Sequence, residues 1–400
     1  MRATIKTFKS KAGDCIFFLL EEDEKRFVIM IDCGKYTSSI KDYVEHELDK
    51  HINLLVATHI DNDHIDGLVE MLEQTPDLKV DKILYNCNQL WDGRPKRRPS
   101  EDMQHDLQVL RTNLPPKMNS SDGKIKADKA VTLAEKLAEK TEWWQAWKKD
   151  EYVSNEIDPI PLDEENDKFG QLIVLSPKRE DIEKLNELFK VEQGKLTKHI
   201  IDEGGYVEGQ ETLFELVARL TAMKRKNYEV KAPDKVGAAL KAFNESHLKD
   251  AYEFVPKGVS DENVASIALL WQYGDKKILF LGDAEPEDIV RKIKDIYGEG
   301  KQEIEAIKVS HHGSKHSTSL ALMECVDSDH YFFTGGNHKD KPSLEAIIKI
   351  VNRQDARLRT LHFNNAENSI VKALSSEQES AIREKYNFVI TYGNEYQFEY

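Results

Sequence analysis

A layered α/β fold is what this sequence predicts, and three observations predict it. Short apolar runs rich in branched residues recur at both ends of the chain, several run directly into helical patterns, and the most polar clusters fall where such runs end. The runs are CIFFLL, FVIMID, INLLVATH and KILYNC, then VASIALLWQY, KILFLGD, AIKVSHH, HYFFTGG and FVITYG. The helical patterns are IDGLVEMLEQ, EPEDIVRKIKDIY and SLEAIIKIVNRQ.

In chain order, Cys15 to Leu20 is strand-length, the turn-like EEDEKR follows, and Phe27 to Ile31 is a second apolar run, which together read as a hairpin. INLLVAT is the next strand, with a helix expected to begin near Ile65. The middle reads differently. Roughly residues 92–165 and 190–258 are dominated by charged helical segments such as TLAEKLAEKTEWWQAWKK and KVGAALKAFNESHLK. Between them, QLIVLSPKREDIEKLNELF reads as a strand, a Ser-Pro break and a helix. We therefore expect one α/β domain over residues 1–400 carrying two helical insertions; a separate helical domain around 92–258 is the alternative.

Composition narrows the class. With 40% hydrophobic and 32% charged residues, the chain has material for a large core and is too apolar for a disordered protein. A net charge of −15 argues against coating nucleic acid through a uniformly basic surface, although a local basic groove is compatible with it. Cys15, Cys33, Cys87 and Cys325 are scattered without a C-x-x-C pair, which suggests reduced thiols rather than a disulfide framework. MRATIKTFKSKAGD lacks a signal-like apolar region, and nothing approaches the ~18 apolar residues of a membrane span. A cytoplasmic protein is the expectation.

The sharpest local signal is Thr58-His59-Ile60-Asp61-Asn62-Asp63-His64, at the end of INLLVAT and ahead of a helix. Four metal-capable side chains fall within six positions, and such a concentration converges only around something cationic. The plainer reading is a polar loop in which Asp61 or Asp63 caps the helix. Two further segments favour the metal. KKILFLGDAEPED ends a strand at Gly282-Asp283, and IEAIKVSHHGSKHSTS delivers His311 and His312 into a Gly- and Ser-rich turn. Neighbours on an extended chain point in opposite directions, so one of the pair is expected to ligate; His311 is favoured.

The order H-x-D-x-D-H, L-x-L-G-D, V-S-H-H-G-S resembles the metallo-β-lactamase superfamily, and in detail the branch containing the hydrolase domain of ComEC-type DNA-uptake proteins. Gly13-Asp14, Ile31-Asp32-Cys33-Gly34 and Leu175-Ser176-Pro177 match further landmarks of it. The resemblance implies an αββα sandwich holding two divalent metal ions, zinc or manganese. His59 and Asp61 would serve one ion, Asp63 and His64 the other, with Asp283 bridging and His311 completing the set; Asp32 would orient the loop. This chain departs from most members in having Asp61 where a second His is usual. It also lacks a clear extra His ligand; His105, His199 and His247 carry no convincing motif.

Such a centre would hydrolyse through an activated water, with Asp63 orienting it and His312 or His338 assisting the leaving group. A phosphodiesterase or nuclease acting on a nucleic acid or nucleotide is the first expectation. Ser314 beside the paired histidines, and Arg97 and Arg98 in the basic run Arg94–Arg98, are candidate substrate contacts, as is Lys224-Arg225-Lys226. Trp143, Trp144 and Trp147 either stack bases or, at helical spacing, dock an insertion onto the core. Hydrolysis of a lactone, thioester or β-lactam is an alternative. So is a binding module whose insertions engage a protein partner around a vestigial metal site.

Overall fold

Alternation along the N-terminal strands sets the layering. In Ile16–Glu22, Phe17 and Leu19 face one way, and Ile16, Phe18 and Leu20 the other; both sets are buried. A strand buried on both sides needs cover on both faces, which is the requirement of a four-layered sandwich. The computed structural model describes residues 1–10, 13–87, 133–134, 136–147, 151–163, 168–186, 243–335, 341–353, 355, 357–364 and 368–400.

The strands are β1 (Arg2–Thr7), β2 (Ile16–Glu22), β3 (Lys25–Ile31), β4 (His51–Val56), β5 (Lys79–Leu84), β6 (Ile160–Pro161), β7 (Gln171–Ser176) and β8 (Ala268–Tyr273). They continue with β9 (Lys276–Phe280), β10 (Gln302–Glu303), β11 (Ala306–Lys308), β12 (Val326–Asp327), β13 (His330–Phe333), β14 (Arg359–Phe363), β15 (Phe388–Tyr392) and β16 (Glu395–Glu399). One sheet has the order β16-β1-β2-β3-β4-β5, the other β15-β14-β13-β11-β9-β8-β7-β6, and β10 and β12 form a small pair. β2 and β3 form the expected antiparallel hairpin.

Between the two sheets lie Phe18, Ile29, Val56, Trp271, Ile278 and Phe280, with the Phe18 and Trp271 rings edge to face at 5.2 Å. The helix Asn62–Gln74 covers the outer face of the first sheet, burying Leu68, Met71 and Leu72. Helices Glu245–Glu253, Pro286–Tyr297 and Leu344–Val351 cover the second. The architecture is therefore α/β, an αββα sandwich, built from both ends of the chain: β16 pairs antiparallel with β1.

Trp143 and Trp147 are buried on the outer side of the first sheet, donating their indole N–H groups to the carbonyls of Leu78 and Tyr85 at 3.0 and 2.9 Å. They dock this segment on the core, which removes them from base stacking; Trp144 is half-buried against the same cluster. The described part of residues 92–165 also contributes β6, paired with β7. His247 is exposed on its helix. The basic runs with Arg97 and Arg98, and also His105, His199 and His338, lie outside the described residues. All four cysteines are free and buried. Among the described residues no helix is long and apolar enough to cross a membrane.

Candidate metal centre

The motif residues meet because parallel strands end together. β3 pairs parallel with β4, and β9 with β11, so the loops after all four open on the same side of the sandwich. Asp32 follows β3, His59 follows β4, Asp283 follows β9, and His311 and His312 follow β11.

The helix after β4 begins at Asn62, earlier than Ile65, because the carbonyl of extended Asp61 already accepts the N–H groups of His64 and Ile65 at 2.9 and 3.1 Å. Asp63 thus falls in the first turn, where the helix dipole favours a carboxylate. The Asp61 side chain makes no capping hydrogen bond, and the next helix is N-capped by Glu285 rather than Asp283. The capping explanation for these carboxylates therefore fails.

One geometric rule holds for three histidines. His64 donates from Nδ1 to Asp32 Oδ2 at 2.7 Å. His59 Nδ1 lies 3.1 Å from Thr58 Oγ1 and 3.5 Å from Ser266 Oγ. His311 Nδ1 lies 3.3 Å from both Asn263 Nδ2 and Ser317 Oγ. In each, Nε2 is turned to Asp283. His64 Nε2 is 3.5 Å from its Oδ1, while His59 and His311 stand 3.8 and 3.4 Å from its Oδ2. His59 Nε2, His64 Nε2 and Asp283 Oδ1 are buried without a hydrogen-bond partner.

Unpaired buried polar atoms are unfavourable, and three aimed at one another have the donor chemistry of a divalent cation site. His59, His64 and Asp283 can hold a metal ion together, and Asp63, His64 and His312 form a second such group. Asp61 Oδ2 stands 4.0 Å from His59 Nε2. The structure thus places His64 with His59 and Asp283 as well as with Asp63.

Charge follows from this crowding. Burial, reinforced by His64, lowers the His59 pKa. Burial also pulls on His64, but Asp283 and Asp32 outweigh it and hold that imidazole well above its usual value. Burial pushes His311 down to about 3. Asp283 is driven well below the usual carboxylate range despite its burial, with His311 and His64 the main causes.

The paired histidines correct the extended-chain expectation. His311 and His312 both have positive φ, 49° and 55°, a left-handed turn and not a strand. They still diverge: His312 is held at Nδ1 by Asp14 Oδ1 at 3.0 Å, with its Nε2 3.2 Å from Asp63 Oδ2. Ser314 is buried in the same turn and accepts from the His316 N–H at 3.3 Å.

No family model matches this sequence, and no curated protein does. Among solved structures, a point mutant of the CmlA beta-hydroxylase aligns with 99% of this chain at 8% identity and a TM-score of 0.37. The chain spans about half of that protein, 54% of its length. Likeness at this level carries nothing about chemistry; the donor set does.

Sequence reasoning named His59, Asp61, Asp63, His64, Asp283 and His311, and it noted Asp14 without giving it work. It missed Thr58, Asn263, Ser266, Ser317 and Lys308. Lys308 had a signal: a lysine inside the apolar run EAIKVS is out of place on a buried strand.

Proposed function

We propose that this protein is a metal-dependent hydrolase that cleaves phosphodiesters in a nucleic acid or nucleotide. The observation that carries the reading is the convergence of three imidazole Nε2 atoms on the Asp283 carboxylate, at 3.4 to 3.8 Å. Two divalent ions, manganese or zinc, fit it. Asp283 offers Oδ2 toward His59 and His311 and Oδ1 toward His64, so it suits a bridging place; Asp61 and Asp63 would complete the two ends. Such ions supply an activated water and screen phosphoryl charge.

The protein's own groups do the rest. Asp63 orients the attacking water, and His312, held at Nδ1, can share a proton with Asp63 through Nε2. Carboxylate oxygens alongside imidazoles favour harder ions, which weights manganese against zinc. The motif order resembling ComEC-type hydrolase domains weights phosphodiesters against carboxylic derivatives.

The test is elemental analysis of the purified full chain together with cleavage of a chromogenic phosphodiester and of single- and double-stranded DNA. Wild type is compared with Asp63→Ala/His64→Ala under added manganese or zinc. Metal-dependent cleavage lost in the variant is expected. Bound metal without phosphodiester cleavage would redirect the reading to a lactone or thioester, and neither metal nor activity would leave a binding module.

A further inference from the structure

Beside the metal centre runs a chain of ion-paired side chains, buried as far as His312 and reaching partly exposed Asp63. Lys308, the last residue of β11, has a side chain 2% exposed and pairs with Asp14 Oδ2, itself 1% exposed. Asp14 Oδ1 accepts from His312 Nδ1 at 3.0 Å, and His312 Nε2 stands 3.2 Å from Asp63 Oδ2. Lys308 Nζ also donates to the Gly282 carbonyl at 3.0 Å, next to Asp283, and the Asp14 N–H donates to the Asp63 carbonyl at 3.0 Å.

Burying a lysine against a carboxylate is a poor way to stabilise a fold, because an apolar residue of similar volume avoids the desolvation. What the chain secures is position. Asp14 lies just before β2 of the first sheet, Lys308 ends β11 of the second and His312 follows it, so the pair fixes one half of the centre against the other. A Cβ on Gly335 would lie 2.5 Å from His312 Nδ1, so backbone is packed directly over that ring.

We propose that Lys308 and Asp14 are positioning residues that act through His312 to fix the Asp63 carboxylate in the metal centre. This rests on reading the His59–His64–Asp283 cluster as a metal site, but not on which bond is hydrolysed. Holding a ligand in place in this manner is worth ~10–100-fold in metal affinity or activity.

The experiment titrates the full chain with manganese and, by absorption spectroscopy, with cobalt(II), and measures kcat and KM on the chromogenic phosphodiester. Two variants are compared with wild type. Lys308→Met/Asp14→Asn removes both charges without stranding either, and His312→Gln leaves the Lys308–Asp14 pair in place. Each is expected to fold, to bind the ion nearest Asp63 ~10–100-fold more weakly with an altered cobalt spectrum, and to lose kcat with KM little changed. Combining all three substitutions should cost no more than either variant alone.

A folded variant of either kind with wild-type metal affinity, spectrum and kcat would overturn the proposal, and so would fully additive losses. Should the double variant not fold, Asp14→Asn alone, which keeps His312 in place, decides by the same criteria, since His312 can itself reach an ion together with Asp63 and His64. If wild type takes up metal but cleaves no phosphodiester, the functional reading fails while the titration still decides the positioning role. Absence of metal uptake by wild type would sink both.

Discussion

Asp32 accepts the Nδ1 proton of His64 at 2.7 Å, and the opposite nitrogen of the same ring then faces Asp283 at 3.5 Å. Asp32 is itself held by the backbone N–H and hydroxyl of Thr58, at 2.7 and 2.6 Å, in a left-handed conformation with φ 58°. A carboxylate behind an imidazole fixes its tautomer and orientation for ligation. Asp32→Ala should therefore weaken metal binding by ~10–100-fold, measured by competition with a chromophoric chelator. Unchanged affinity would show that His64 is oriented by packing alone.

Metal uptake should release protons. His64 lies between two carboxylates that hold its pKa well above the usual value, so at neutral pH the metal-free protein carries a proton where an ion would bind. Ions and protons compete for the same lone pair, so affinity rises with pH and falls, by about tenfold per unit for one displaced proton, as the solution is acidified. Calorimetry at pH 7 in buffers of different ionisation enthalpy measures the number released. A value of zero would count against His64 as a ligand.

Much of this cluster was legible because its candidate donors come from short motifs at strand ends, where a polar cluster has no packing explanation. His59 through His64, Gly282-Asp283 and His311-His312 each stand out against an apolar run. The partners that aim those side chains were not legible. Asn263, Ser266 and Ser317 reach Nδ1 atoms from segments far away in sequence, and an isolated Ser or Asn has no pattern to betray it. Helical spacing favoured docking for Trp143 and Trp147, and their buried indoles agree. The assumption that failed was an extended backbone at His311-His312, where a left-handed turn intervenes.

Acid should loosen the seam between β16 and the second sheet. Thr391, His362, His330 and Tyr396 form a hydrogen-bonded row with contacts of 2.8, 3.0 and 2.9 Å, and Phe332 stacks on His362 at 4.4 Å. Burial pushes His362 down to about 4, and His330 is lowered as well. A histidine with a depressed folded-state pKa is protonated first in the unfolded chain. Stability is therefore lost as pH falls through about 6.5 toward 4, by roughly 2–3 kcal/mol for His362. Denaturant unfolding of wild type and His362→Phe across that range checks it. The variant starts less stable but should lose less on acidification, and parallel curves would contradict the assignment.

Close backbone approach gives the last prediction. A Cβ on Gly13 would sit 1.7 Å from the Asp63 carbonyl oxygen, and one on Gly34 2.3 Å from the same atom. Both glycines thus make room for the turn that carries Asp63, which the Asp14 N–H clasps from the same side at 3.0 Å. A methyl group cannot fit there unless Asp63 moves, and displacing a reacting group by ~1 Å can cost ~100-fold in activity. Gly13→Ala should lose metal content by elemental analysis and thermal stability together. Gly393→Ala is the control, since nothing lies within 4 Å of its added carbon. Full metal occupancy in Gly13→Ala would mean that the Asp63 turn can shift without disturbing the centre, and would remove Asp63 from the ligand set.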